Sequence, residues 1–560
     1  MVDNSTRLQR SIERLLARDD LWITREVVEQ YVASGAWGEA SFVDDLERYA
    51  KERPDAVAIV DEDGRQTTYG EYERRTRELS LALLDLGLAP GDRLAMQVPN
   101  SSEFCITLMA CARARILPVL LHMPYTEHDL AYILSLTEAR ALVVPRTYRG
   151  RDHLALAQRM REQHGSVEQI IAIGGGPGAL DFAELLARPK RTPQSVLDDV
   201  RPTGIDPFFL MFTSGTTGRP KAELHLHANN ANWVDAFSQV HGFPDDAHWL
   251  IVTPIAHLTG LGIGVFGALK RGAPFTVMTA WDVDRCVDLL ERDRPTYLLG
   301  APPMIIDLAR FPDLETRQVR SLEAICYAGA PCPAEILNTL DRRLGAQIVA
   351  FYGYTEGGAT HCTRPGDPIE ITSKSFGKIE PGIEQRFVDP AGMAVQPPCE
   401  AEIWCRGPNF IPGYFGQPEL TRRMFTADGW FRSADIVRVD EAGYCYFVAR
   451  QDDLINRGGY KIDPREIEEV LYRHPRVAQA AVVAMPDERL GQRAAAFIVP
   501  KEAGDPLSLG DLTAFLEQQG VAKVKWPEAV ELVEGFPMTS TGKFMRYALR
   551  SRAEQLRAQR

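Results

Sequence analysis

The sequence predicts a layered α/β protein with a second, smaller α+β unit at its C-terminal end. That prediction rests on length, on strand-like apolar runs alternating with helical patterns, and on a break in the alternation near residue 450. The chain has 560 residues, 45% hydrophobic and 25% charged, an ordinary globular composition that excludes disordered and fibrous architectures. At about 100–200 residues per domain, this suggests roughly three to five compact units, or one large core with an appendage.

Thr68-Tyr69-Gly70-Glu71 reads as a capping box opening a helix. Its apolar stripe is Tyr72, Leu79, Leu83 and Leu86, and Gly87 stands where a C-cap glycine belongs. Strands are predicted at 93–98, 141–144, 170–173, 208–212, 249–252, 275–278, 297–299 and 324–327. The most membrane-like stretch, 250–269, holds Pro254, His257 and four glycines, so it reads as buried core with a turn in it. Near Gly443 a short strand, 444–448, runs into the charged stretch Arg450-Gln451-Asp452-Asp453, where the boundary is placed. Beyond it come a helix from Pro464 with Asp463 and Glu466 as its capping box, strands at 477–483 and 494–499, a helix from Leu509 and a strand at 529–533. The domains are thus expected at 1–450 and 454–560, joined by 451–453.

With 63 basic against 76 acidic residues the net charge is −13, and no basic cluster is long enough to track a phosphate backbone, so nucleic acid is not an expected partner. The N-terminus mixes acids and arginines without an apolar h-region, which points to a cytoplasmic protein with no integral membrane segment. The nine cysteines are scattered and never in C-x-x-C spacing, which suggests reduced thiols and neither disulfides nor a zinc knuckle. Only 11 of the basic residues are lysines, so Lys221, Lys461 and Lys543, each beside a glycine-rich turn, stand out.

In Met211-Phe212-Thr213-Ser214-Gly215-Thr216-Thr217-Gly218-Arg219-Pro220-Lys221 an apolar strand runs into hydroxyls and glycines and ends on a lysine. Backbone N–H groups and hydroxyls at that density can wrap phosphate oxygens, and the lysine can neutralise them. Walker A is excluded, because the chain after Lys221 alternates like a strand. His225 and His227 fall on one face of that strand, but no third ligand accompanies them and a metal is not assigned. Gly329-Ala330-Pro331 forms a small-residue bend that lets backbone approach a planar ligand. In Tyr352-Gly353-Tyr354-Thr355-Glu356 an aromatic can stack on a base, a threonine can hold a phosphate and a carboxylate can bind Mg²⁺.

These motifs, with Gly429-Trp430-Phe431-Arg432-Ser433-Ala434-Asp435, Arg450 and Pro537-Met538-Thr539-Ser540-Thr541-Gly542-Lys543, occur in the order used by the adenylate-forming superfamily, which the chain resembles from about residue 40 to 550. The superfamily includes acyl-CoA synthetases, peptide-synthetase adenylation domains and beetle luciferase. The resemblance implies a large, multi-subdomain N-terminal domain of the acyl-CoA synthetase type and a small mobile C-terminal domain. It implies that Ser214, Gly215, Thr216, Thr217, Gly218, Lys221, Gly329, Ala330, Pro331, Tyr352, Gly353, Tyr354 and Thr355 bind ATP and AMP, with Asp435 and Arg450 on the ribose. Glu356 and Thr217 would hold Mg²⁺, and Lys543, Thr213, Glu356 and His257 would carry catalysis. The hinge falls on Asp452, and Gly458, Gly459, Tyr460 and Lys461 would line a pantetheine tunnel. Ala434 and Ala449 stand where the superfamily usually has glycine.

The implied activity is ATP-dependent formation of an acyl-adenylate, followed by thioester formation with CoA, the first choice of acceptor, or with the phosphopantetheine of a separate carrier protein. A non-catalytic acyl-nucleotide binder and a luciferase-type oxygenase are the alternatives from other classes. The acyl pocket is assigned to His257, Leu258, Gly260, Leu261 and Ala330. Leu258 replaces the asparagine that would meet a ring hydroxyl, and the glycines at 260, 262 and 264 suggest room, so a bulky apolar acid is expected: alicyclic, terpenoid, aryl or medium-chain. Oligomeric state, including a homodimer, stays open.

Overall fold

The computed structural model describes residues 4–213, 220–457, 460–487, 489–502, 504–538 and 544–558. Each strand expected up to residue 327 is found, and most belong to two sheets. In one sheet, Trp249–Ile251 lies parallel to Phe275–Val277 on one side and to Tyr297–Gly300 on the other, followed by Ala324–Ala328 and Gln347–Tyr354. In the second, Leu117–Leu120, Arg93–Met96, Ala141–Pro145 and Gln169–Ile173 run parallel, and the antiparallel pair Pro207–Thr213 and Lys221–Leu226 forms one edge. Strands in such sheets are covered on both faces, which is why they read as unbroken apolar runs.

The helix Ser102–Arg113 is buried at all of its positions, apolar ones around most of the circumference. Such a helix belongs between layers, and one continuous core holds its Phe104 and Leu108 together with Ile59 and Leu299 of one sheet and Leu94 and Met211 of the other. The 250–269 stretch is likewise core: a strand, a loop, a π-helical segment Gly260–Phe266 and a short helix Gly267–Arg271. Among the described residues no helix is long and apolar enough to cross a membrane.

Two N-terminal helices, Asn4–Leu16 and Arg25–Ala33, pack Leu15 and Val28 with Trp37 against Ile205 and Leu226. The segment around them straps a distant loop. The Trp22 and Trp37 indoles donate to the carbonyls of Ile411 (2.9 Å) and Pro408 (2.8 Å), and the Asp20 carboxylate accepts from the Gly416 amide at 2.7 Å. A third, antiparallel sheet contains Glu384–Val388, Cys399–Arg406, Phe431–Val439 and Cys445–Arg450.

The smaller domain follows a short 3-10 turn, Gln451–Asp453. Its sheet joins Ile455–Arg457, Tyr460–Ile462, Val477–Asp487, Gly491–Pro500 and Ala529–Leu532, and its two cores draw only on residues from Ile455 onward. Neither expected capping box closes in full. Thr68 accepts from the Glu71 amide at 3.2 Å, and Asp463 accepts from the Arg465 amide at 3.0 Å, while Glu466 turns to Lys525. A cap bond satisfies an orphan N–H whether or not the reciprocal carboxylate bond forms, so the helix starts hold.

Arg546 forks onto both carboxylate oxygens of buried Glu468, at 2.7 Å each, tying the last helix, Arg546–Ala558, to the helix Pro464–Leu471. Removing one partner of a buried pair strands the other charge, at about 3–5 kcal/mol. Arg546→Ala is therefore expected to destabilise the small domain by about 3 kcal/mol, seen as an earlier urea transition for that domain while the large domain unfolds where it did.

Candidate active site

The phosphate-loop candidate is an antiparallel connection whose two ends face each other, because Thr213 pairs with Lys221 in register. Ser214, Gly215, Thr216, Thr217 and Gly218 lie outside the described residues. The Thr213 hydroxyl donates to Glu223 Oε1 at 2.6 Å. From the opposite end of the pair, Lys221 Nζ lies 3.9 Å from Glu356 Oε1 and 5.8 Å from the centre of the Tyr414 ring. Tyr414 in turn donates its hydroxyl to Glu356 Oε1 at 2.5 Å, and the Ile411 amide donates to the Glu356 carbonyl at 2.7 Å. Lysine and glutamate, far apart in sequence, thus converge beside the loop.

Sequence reasoning missed two members of this cluster, Glu223 and Tyr414. Glu223 is fully buried, and burial first, then the nearby Glu356 charge, pushes its carboxyl well above the usual range. The available signal was the strand alternation itself, which puts an acid at an inward position. Tyr414 reaches Glu356 only through the loop that the N-terminal strap holds. Mg²⁺ fits the hard carboxylate oxygens of Glu356. Among the described residues no group of three or more His, Cys, Asp or Glu is arranged to hold a metal.

The nucleotide side is built on two paired strands. Asp435 stands opposite Arg450, with Arg450 Nε 3.0 Å from Asp435 Oδ1, and the Tyr352 hydroxyl donates to the other carboxylate oxygen. Burial, then the Asp435 charge, raises the Tyr352 hydroxyl pKa, which keeps it a donor. The Tyr352 ring stacks on Phe376 (4.1 Å between centroids) and remains half-buried, and its hydroxyl is 2.8 Å from that of Tyr354. Gly353 is required by crowding, since a Cβ there would sit 1.8 Å from the Gly358 carbonyl oxygen. Thr355 is half-buried beside Glu356, and Gly329, Ala330 and Pro331 are exposed at the end of the strand Ala324–Ala328, with Gly329 at φ +100°. Of the two alanines that replace glycine, Ala449 is extended and pairs with Ile436, whereas Ala434 is held at φ +60°.

On the acyl side, His257 accepts from the Thr259 amide through Nδ1 at 3.2 Å, and its ring centre lies 6.2 Å from that of buried His122, whose pKa burial lowers to about 4. Leu258 and Leu261 are buried. The glycines do not supply the expected room. A Cβ on Gly260 would meet the Pro254 carbonyl at 2.7 Å, one on Gly264 the Ile251 side chain at 2.5 Å, and one on Gly262 the Trp233 ring at 2.0 Å. Neighbouring atoms already fill all three notches. Nor do His225 and His227 share a face: they stack on consecutive residues, Phe209 and Phe208, and His227 already opens the helix His227–His241.

In the small domain, Gly458, Gly459 and Lys543 lie outside the described residues, as do the side chains of Asp452, Tyr460 and Lys461. The ends of both loops are described. Arg457 pairs with Tyr460 around the two glycines, and Met538 bridges to Phe544 around 539–543. Next to the hinge position, Asp453 accepts from Arg550 at 2.6 Å, tying the 3-10 turn to the last helix.

The sequence model of the AMP-binding enzyme family matches residues 46–415, and that of the AMP-binding enzyme C-terminal domain matches 466–543. The chain belongs to the AMP-binding enzymes. It is 31% identical over 535 residues to a medium-chain fatty-acid–CoA ligase of Escherichia coli K12, covering 93% of this chain and 92% of that one. It is 31% identical over 527 residues to a 2,3-dihydroxybenzoate-AMP ligase of Bacillus subtilis 168, covering 94% and 96%. Among solved structures, the anthranilate CoA ligase AuaEII in complex with anthranoyl-AMP superposes with a TM-score of 0.80 at 25% identity, over 93% of this chain and 98% of that one.

Two outcomes follow from the side-chain chemistry. Alanine in the left-handed region is strained by about 1–2 kcal/mol, partly offset by the extra chain entropy glycine loses on folding. Ala434→Gly should raise stability by up to about 1 kcal/mol, read as a higher urea midpoint at unchanged slope. A carboxyl whose pKa is raised by folding makes stability fall as pH climbs above its ordinary value of 4.5. Glu223→Gln keeps an acceptor for Thr213, so it should melt above wild type at about pH 8 and lose that advantage near about pH 4.

Proposed function

We propose that the cluster of Lys221, Glu356 and Tyr414 beside the Thr213–Lys221 connection is the triphosphate end of an ATP site, with Tyr352, Asp435 and Arg450 at its nucleoside end. The observation that carries this reading is the 3.9 Å approach of Lys221 to Glu356 from two different sheets, which leaves a cation and a hard-oxygen ligand at the mouth of a hydroxyl-rich loop. The protein is an AMP-forming acid–thiol ligase that activates a carboxylic acid with ATP and makes its CoA thioester.

In the first half-reaction the acid's carboxylate oxygen attacks the α-phosphorus, the bond to the bridging oxygen breaks, and pyrophosphate leaves with its electron pair. In the second, a thiol adds to the acyl carbon, AMP leaves and the thiol proton is released. Both steps depend on positioning and on charge placed where charge develops. Lys221 neutralises phosphate oxygens, Thr213 and the loop after it hold them, and Asp435 accepts from the ribose hydroxyls while Arg450 orients the carboxylate. Thr355 meets the α-phosphate, and Gly329, Ala330 and Pro331 lie along the base. Mg²⁺ bound by Glu356 and Thr217 would supply charge neutralisation for the phosphates.

Lys543 reaches the developing charge in the first step, and rotation about 451–453 replaces it with the Gly458–Lys461 region for the second, so the domains run 1–450 and 454–560. His257, Leu258, Leu261 and Ala330 border the acid, and Leu258 favours one without a hydroxyl beside its carboxyl. Free CoA is the acceptor in this reading; a carrier protein's pantetheine is the alternative. The nine cysteines are all unpaired.

The test is acid-dependent ATP–pyrophosphate exchange over a panel of aryl, alicyclic, terpenoid and fatty acids, then CoA and mass detection of the thioester; exchange without CoA thioester would shift the acceptor to a carrier protein. Lys543→Ala should cut exchange by about 10²–10³-fold with folding retained. Gly459→Leu should leave exchange near wild type and suppress thioester formation. Full exchange in Lys543→Ala would remove that lysine from the first step.

A further inference from the structure

Trp233, on the helix His227–His241, is buried to 1% exposure, and glycines from two separate segments receive its ring. A Cβ on Gly262 would lie 2.0 Å from Cη2 and Cζ2, at the six-membered end of the indole. A Cβ on Gly358 would lie 2.4 Å from Cγ and Cδ2, at the five-membered end. Gly358, at φ +66°, comes two residues after Glu356, and Gly262, in the π-helical segment, five after His257. The indole N–H donates to Asn230 Oδ1 at 3.4 Å, and Asn230 donates through Nδ2 to the Leu226 carbonyl at 2.8 Å, so the ring's orientation is set from its own helix.

The location gives this plug a function. In the acid-activating reading, an acid held at the α-phosphate would lie between the Glu356 turn and His257, with its far end toward buried Leu258 and Leu261. The indole spans the gap between the segments that continue from those two walls. We propose that Trp233 is the specificity-determining residue that ends the acyl pocket, so that the enzyme takes compact acids, a single planar ring or a short chain, whose far edge stops on the indole. This rests on the acid-activating reading of the site. An aromatic acid would gain an offset or edge contact there, and with glycines against both ends of the ring, trimming Trp233 would open a slot between the two segments.

The experiment measures ATP–pyrophosphate exchange by wild type, Trp233→Ala and Trp233→Leu with straight-chain acids from butanoic to dodecanoic and with benzoates carrying para-alkyl groups of increasing length. The expected result is wild-type exchange confined to the short members. In the variants, the ratio of kcat/KM for long over short acids should rise by about tenfold or more, as when a pocket gains methylene-sized space. Trp233→Leu retains apolar packing if the alanine variant fails to fold, and the wild-type profile alone keeps the proposal at risk. Wild-type preference for the longest acids, or an unchanged ratio in a folded variant, would overturn the role of Trp233 and leave the ligase standing. No exchange with any acid would overturn the ligase reading, and the pocket with it.

Discussion

The encounter on which the site is built is between a cation at the edge of one sheet and a carboxylate just past the end of a strand in another. Lys221 and Glu356 are 3.9 Å apart, and Tyr414 closes the group from the loop between two strands of the third sheet. Neither charge could sit there alone, since a buried ion without a partner is costly. The pair constrains how the sheets meet, because a shift of one residue in the register of Lys221–Leu226 would point Lys221 away and bring Ala222 to the site. Glu223, two residues on and on the same side, accepts the Thr213 hydroxyl, and its depth pushes its carboxyl pKa up.

The parts of this arrangement that were legible in the sequence share a physical cause. Strands covered on both faces must be apolar throughout, so 208–212 and 324–327 announce themselves without any knowledge of their neighbours. Phosphate chemistry needs hydroxyls, glycines and a lysine close together in the chain, so that loop is also a local signal. What stayed hidden depends on partners distant in sequence. Tyr414 is an unremarked aromatic until Glu356, 58 residues earlier, is seen to receive its hydroxyl. Trp233 reads as ordinary helix core until two glycines are found against its ring. Gly262 suggested empty space when only its own segment was considered, because sequence shows which side chain is missing and not which one takes its place.

Three loops of interest share one construction. The segment after Thr213, Gly458-Gly459 and the segment before Phe544 are each flanked by a matched pair: Thr213 with Lys221, Arg457 with Tyr460, Met538 with Phe544. The last two sit on a domain whose final helix is tied to Asp453 beside the hinge and to Glu468 in its own core. Motion of that domain would therefore carry both loops as one piece.

The N-terminal strap ties the behaviour of the site to residues that precede the family's matched region. Asp20, Trp22 and Trp37 hold the Pro408–Gly416 loop, which presents Tyr414 to Glu356. Local opening of the first helices would thus release a loop on which the site depends, and the two should behave as one cooperative unit. Backbone amides of Ile411 and Gly416 would then exchange with solvent at the rate set by fraying of helices hundreds of residues earlier. A chain cut back to the start of the matched region would keep every motif and lose the brace that aims one of the site's hydroxyls.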